Sequence, residues 1–203
     1  MKRALIFGGG VYGEEFPVIS DDDYIIAADA GLVVLREHGI EPDITIGDFD
    51  SSGFVPEKNA VVLPVEKDVT DTCAAAELAI NNGCDEIIIY GGMGGRPDHT
   101  MANFTLIASL TEKGIRAYLS GEGYTVTAVK NSAVTVSASM GKTLSVFSWT
   151  NECTGVTLKG LKYTLSEHTL SNMFALGVSN SFTENEAEIS VRDGILIIMY
   201  ENN

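Results

Sequence analysis

Basic residues are scarce in this chain: 13 Lys and Arg stand against 28 Asp and Glu in 203 residues, a formal charge of −15. Binding to a nucleic-acid backbone needs a basic surface, so this balance argues against such a partner. It suits a cationic substrate, or an anionic one bridged by metal. Long apolar runs are missing too. None reaches the roughly 18 residues that a membrane-spanning helix needs, so no membrane segment is expected. The start, Met1-Lys2-Arg3-Ala4-Leu5-Ile6-Phe7, carries positive charge, but its apolar run is short and passes straight into glycines. It reads as a first buried strand and not as a secretion signal. Cysteine is sparse and odd in number (Cys73, Cys84, Cys153), with no CxxC spacing, which fits reduced thiols in a cytoplasmic protein better than a disulfide framework. Cys73 falls inside an acidic motif with nothing nearby in sequence to activate a thiolate, and reads as a small helix-face residue. No low-complexity linker or repeat interrupts the chain.

What is present is enough for a core, with 45% hydrophobic residues. Up to about residue 120, short apolar runs at 4–7, 24–28, 44–46, 61–65, 86–90 and 116–119 alternate with helical patterns at 31–38, 72–82 and 99–113. That alternation implies βαβ units and a parallel sheet. Gly39 and Gly83 stand just past two of the helices, as C′ residues do, and Thr70 or Asp71 serves as an N-cap. Beyond Gly121 the runs become short and β-rich (125–130, 133–137, 143–149, 155–158, 187–191, 195–200), with Arg192-Asp193-Gly194 as a hairpin signal. Only 166–173 leaves a helix open. The expected organisation is an α/β domain over 1–122 and an all-β sandwich or barrel over 123–203.

The chemistry gathers at strand ends. In Ile46-Gly47-Asp48-Phe49-Asp50-Ser51 two carboxylates flank an aromatic where a short strand turns. Ligands of open α/β sheets bind at the carboxyl ends of strands, and paired acids there call for a cation, with Mg²⁺ the natural candidate for oxygen ligands and phosphates. Asp29-Ala30-Gly31 passes from strand to helix; Asp29 is an N-cap or a third acid at the same edge, and the two roles are compatible. Glu66-Lys67-Asp68-Val69-Thr70-Asp71 again puts an acid between a strand and a helix, where the helix dipole also favours it. Gly91-Gly92-Met93-Gly94-Gly95-Arg96-Pro97-Asp98-His99 precedes a helix carrying Asn103. Its glycines let backbone N–H groups approach phosphate, Arg96 offers a cationic fork, and Pro97 suits a helix start. Asp98 and His99 are each metal ligand, base or cap. Gly8-Gly9-Gly10-Val11-Tyr12-Gly13 satisfies the dinucleotide pattern, with Asp29 about twenty residues on. Glu14-Glu15-Phe16-Pro17 is a poor opening for the long helix that pattern requires.

Taken together, Ala28-Asp29-Ala30-Gly31, Gly47-Asp48-Phe49-Asp50-Ser51, Lys67-Asp68-Val69-Thr70-Asp71 and Gly94-Gly95-Arg96-Pro97-Asp98-His99-x-x-x-Asn103 resemble the thiamine pyrophosphokinase family. Gly160-Leu161-Lys162-Tyr163-Thr164-Leu165 and Gly177-Val178-Ser179-Asn180 are similar to its late motifs. The resemblance runs in order along nearly the whole chain. It implies an α/β domain followed by a β-sandwich, a homodimer with thiamine at the subunit interface, and Mg²⁺-dependent transfer of a pyrophosphoryl group from ATP to the thiamine hydroxyl, releasing AMP. By the same resemblance, Asp48, Asp50 and Asp71 hold Mg²⁺ and the phosphates, and one of them accepts the hydroxyl proton. Asp98 and Arg96 orient the transferred group. Asp29, Thr70, Gly92, Gly94, Gly95, His99 and Asn103 lie along the nucleotide, and Ser179 and Asn180 contact thiamine. Lys67 has no fixed role in the family, and the 171–176 stretch departs from the family's more glycine- and serine-rich form. Tyr163 stacks on a flat cationic ring or simply packs. Rival readings of the same acids are a phosphohydrolase or nucleotidyltransferase for another alcohol, and a nucleotide-sensing module.

Overall fold

The computed structural model describes residues 2–13, 15–49, 59–64 and 68–203. The chain divides into two compact units, one of residues 1–106 with 115–122, the other of residues 107–114 with 123–203.

In the first unit β1 (Arg3–Phe7), β2 (Tyr24–Ala28), β3 (Ile44–Gly47), β4 (Ala60–Val62), β5 (Glu86–Tyr90) and β6 (Arg116–Gly121) lie in the order β6-β5-β1-β2-β3-β4. Every described pairing among them is parallel. The helices α1 (Gly31–Glu37), α2 (Asp71–Asn81) and α3 (Pro97–Glu112) supply the crossovers from β2 to β3, β4 to β5 and β5 to β6. Leu5 and Phe7 of β1 bury one face against Leu32 and Leu35 of α1, while Ala4 and Ile6 on the other face are fully buried as well. A sheet covered on both sides reads as unbroken apolar runs, as these strands do. Ala75, Ala76 and Ala79 form the buried side of α2; small residues there let the helix sit close to the strands. Strand order reverses between β1 and β5, the switch point at which such sheets leave a crevice.

The second unit is all-β apart from the end of α3. β7 (Tyr124–Lys130), β9 (Thr143–Ser148), β14 (Ile195–Glu201) and β12 (Asn180–Ser181) pair antiparallel in the order β12-β9-β14-β7. β8 (Ala133–Ser137), β10 (Glu152–Lys159), β11 (Leu165–Ser171) and β13 (Glu186–Ser190) form a second antiparallel sheet, β11-β10-β13-β8. One core joins both sheets, including Leu144, Val146, Leu196 and Ile198 from the first and Val156, Leu158, Leu170 and Ile189 from the second. This is a sandwich, not a barrel.

Residues 166–173, which left a helix open, are mostly strand β11. Their exposed polar face hid the pattern: in β11 only Leu170 is buried. β10 begins three residues earlier than its apolar run, because Gly155 at φ +64 bulges the strand and breaks the alternation. The run at 61–65 yields a strand only over Ala60–Val62 among the described residues; Val65, Glu66 and Lys67 lie outside them, as do Glu14, Asp50 and Ser51.

Candidate active site

Asp48 follows the last residue of β3, and the chain there is held in register by Leu63 N–H donating to the Gly47 carbonyl at 2.9 Å. Phe49 is buried and adopts φ +57. Bulky residues avoid that region, at a cost on the order of 1–2 kcal/mol. The fold holds Phe49 in this conformation against that cost. Gly47 has no side chain because Asp29 stands against it: a Cβ would meet the Asp29 Cα at 3.1 Å. Asp29 itself sits at φ +47 and donates its N–H to the Ile46 carbonyl at 2.8 Å. The N-cap of α1 is Ala30, with no side-chain cap bond, so Asp29 does not fill the capping position. It follows β2 at the same sheet edge where Asp48 follows β3.

Asp71 opens α2, and Thr70 is its N-cap, the hydroxyl accepting from Cys73 N–H at 3.2 Å. α2 packs on β1, β2, β3 and β5 and leads into β5, parallel to the others, so its first turn falls at the carboxyl ends of the strands. Asp71 thus shares an edge with Asp48, and its Oδ1 is shielded from solvent. Asp29, Asp48 and Asp71 offer carboxylate oxygens on this edge, which suits a hard cation such as Mg²⁺. Among the described residues no group of three or more His, Cys, Asp or Glu is assembled for a metal. Asp50, the third expected ligand, lies outside those residues.

After β5 the chain makes a tight glycine turn. Gly91, Gly94 and Gly95 have φ of +64, +74 and +68, open only to glycine without strain. Gly92 is required by packing: a Cβ would lie 2.5 Å from Leu119 Cδ1. Asn103, buried in α3, donates its amide to the Gly92 carbonyl at 2.7 Å, so its side chain supports the turn from behind. Arg96 grips Asp98 with two bonds, Nε to Oδ1 at 3.2 Å and Nη2 to Oδ2 at 2.6 Å. That contact holds the Asp98 carboxyl below the usual carboxylate range. Arg96, Asp98 and His99 are all exposed at the start of α3.

The dinucleotide pattern at 8–13 does not build a dinucleotide site. Among the described residues no helix follows until Gly31, and the N–H groups of Gly8 and Gly10 are spent on the carbonyls of Tyr90 and Gly91, each at 2.8 Å.

In the second unit Asn180 is buried and its amide closes on the backbone of Tyr163, accepting from its N–H at 2.9 Å and donating to its carbonyl at 2.6 Å. Ser179 is exposed at φ +59, and its N–H donates to Ser145 Oγ at 3.1 Å. Tyr163 is 61% exposed, with Lys162 Nζ 5.4 Å from its ring centroid. Sequence reading missed the Asn180–Tyr163 clamp, which joins residues 17 apart and has no local signature.

Comparison with known proteins decides the family. Residues 17–119 match the thiamin pyrophosphokinase catalytic domain, and residues 125–196 match the thiamin pyrophosphokinase vitamin B1 binding domain. The chain belongs to the thiamin pyrophosphokinase family. Membership makes it an enzyme, a thiamine diphosphokinase, and so a transferase of thiamine metabolism. The thiamine pyrophosphokinase of Bacillus subtilis (strain 168) is 30% identical over 182 residues, covering 86% of this chain and 85% of that one. A crystal structure of thiamine pyrophosphokinase from Bacillus subtilis has a TM-score of 0.88 at 24% identity, with 100% of both chains covered. That of a thiamin pyrophosphokinase family protein from Enterococcus faecalis has a TM-score of 0.83 at 26% identity, again over 100% of both. Thiamin pyrophosphokinase from Candida albicans shares the fold at 15% identity, with a TM-score of 0.78 over 99% of this chain and 90% of that one.

Proposed function

We propose that the protein transfers the pyrophosphoryl group of ATP to the hydroxyl of thiamine, giving thiamine diphosphate and AMP, and that the reaction depends on Mg²⁺. The observation that carries this reading is the shared edge: Asp29, Asp48, Asp71 and the 91–95 turn all follow or border carboxyl ends of parallel strands in a chain whose two halves match one family. Residues 1–122 serve the nucleotide and the chemistry, and residues 123–203 serve thiamine and assembly into a homodimer whose interface completes the thiamine site. The protein acts in the cytoplasm; no helix among the described residues is long and apolar enough to cross a membrane.

Asp48, Asp50 and Asp71 are the residues that would hold Mg²⁺, which when bound supplies charge neutralisation across the phosphates. The chain's own groups do the rest. Arg96 exchanges Asp98 for phosphate oxygens, the N–H groups of the glycine turn meet the equatorial oxygens, and Asp98 orients the transferred group. One of the edge carboxylates takes the thiamine hydroxyl proton as the new O–P bond forms at the β-phosphorus; the bond from that phosphorus to the α-phosphate oxygen breaks, and AMP leaves with the electron pair. Asp29, Thr70, His99 and Asn103 border the nucleotide, Thr70 and Asn103 by holding backbone. Ser179 and Asn180 serve the thiamine side, Asn180 by fixing Tyr163.

The test is product analysis with ATP, Mg²⁺ and thiamine. Equal amounts of thiamine diphosphate and AMP are expected. ADP with thiamine monophosphate would overturn the transfer chemistry, and AMP released without thiamine would favour a hydrolase.

A further inference from the structure

The glycine run at 8–10 is the one sequence motif for which the proposed reaction has no use. Its backbone is nevertheless committed to the 91–95 turn. Gly8 N–H donates to the Tyr90 carbonyl at 2.8 Å, Gly10 N–H to the Gly91 carbonyl at 2.8 Å, and Val11 N–H to the Met93 carbonyl at 3.1 Å. Asn103 Nδ2 donates to the remaining carbonyl of the series, that of Gly92, at 2.7 Å. Four consecutive carbonyls, from residue 90 to residue 93, are therefore each held by a donor. The fit excludes side chains. A Cβ on Gly10 would lie 2.3 Å from the Gly91 oxygen, and one on Gly8 would lie 3.0 Å from it. Tyr12 completes the contact: its hydroxyl donates to the Gly8 carbonyl at 2.7 Å, and a Cβ on Gly91 would meet its ring at 2.7 Å.

We propose that Gly8, Gly10 and Asn103 are positioning residues that template the phosphate-binding turn, by capping the carbonyls of residues 90, 91 and 92 beside the Val11 bond to residue 93, and so reserving the outward face of the turn for N–H groups. This rests on the reading that the 91–95 turn receives the phosphates of ATP. Where carbonyls are bound inward, an anion meets amide donors and not oxygen lone pairs, and the template sits where strand order reverses. A displacement of about 1 Å at such a site can cost on the order of a hundredfold in rate.

Neither Gly8 nor Gly10 lies in the left-handed region, so alanine tests the close approach and not backbone strain. The experiment is calorimetric binding of ATP with Mg²⁺ to the wild type and to Gly8→Ala, Gly10→Ala and Asn103→Ala, with steady-state KM for both substrates and Tm. The expected result is graded: ATP Kd rises about threefold for Gly8→Ala and about tenfold or more for Gly10→Ala and Asn103→Ala, while KM for thiamine stays within about twofold. A role in folding alone would lower Tm and leave the Kd of the folded protein unchanged. Folded Gly8→Ala and Asn103→Ala proteins with wild-type ATP Kd would overturn the inference, whatever Gly10→Ala does. A wild type that neither binds ATP nor releases AMP would instead overturn the reading beneath it.

Discussion

Phe49 shows how the site is made at the scale of a residue. It is a buried aromatic at φ +57 between two acids, a conformation that glycine would adopt freely. The aromatic gives an anchor that glycine could not, and the local strain is the consequence. Asp29 and Ser179, two more of the expected site residues, share the left-handed region. The acids Asp48 and Asp71 at this edge are expected to matter for turnover more than for stability. Asp48→Asn and Asp71→Asn should each lower kcat at least about a hundredfold, on the order of 3 kcal/mol in the barrier. Loss of the Asp71 charge from the first turn of α2 should cost only about 0.5 kcal/mol of stability. Steady-state kinetics beside thermal melts test both, and near-wild-type turnover in the two variants would remove these residues from the chemistry. The acids themselves were legible in the sequence, because an acid between a strand and a helix is a local pattern. The left-handed backbone was not, since none of Asp29, Phe49 and Ser179 is a glycine. The uses of Asn103 and Asn180 were hidden as well: both side chains turn to backbone carbonyls and amides far along the chain.

Elements were legible where burial is two-sided and obscure where it is not. β1, β2 and β5 read directly as apolar runs because both faces of the parallel sheet are covered. β11 exposes most of its side chains, so its alternation carries no hydrophobic signal. Helix α2 announced itself through Thr70, whose hydroxyl caps it as expected. The junction of β1 and β2 depends on an ion pair instead. Arg3 donates Nε and Nη2 to the two Asp23 oxygens at 2.7 and 2.6 Å, and the Asp23 side chain is 4% exposed. The guanidinium holds the Asp23 carboxyl below its usual range. A depressed folded pKa contributes stability that is fully present above the ordinary aspartate pKa of about 4 and is lost as pH falls through the folded value. Asp23→Asn should therefore destabilise by about 1–2 kcal/mol at pH 7, with the gap from wild type narrowing as pH falls below the ordinary aspartate range. Urea melts of both proteins across pH check this; a gap independent of pH would mean that the pair's charge contributes nothing.

At the scale of the molecule, two units of different architecture are joined in one chain, and the chain's match to one family spans both. The formal charge of −15 fits this picture only loosely, since only part of it lies at the acidic edge. What charge and composition excluded was informative, but the reaction became readable only when four short motifs were taken together and in order. The glycine run at 8–10 is the instructive exception. Its spacing suggests a dinucleotide fold, and its bonds show a backbone packed against a neighbouring turn, which no spacing rule distinguishes.

The central claim is that both terminal phosphates of ATP move together to thiamine. It is tested most directly with ATP labelled at the β-phosphorus, in the presence of Mg²⁺ and thiamine, by following the label. The account predicts all of the transferred label in thiamine diphosphate and none in AMP. Label retained in ADP, with unlabelled thiamine monophosphate as the other product, would contradict it.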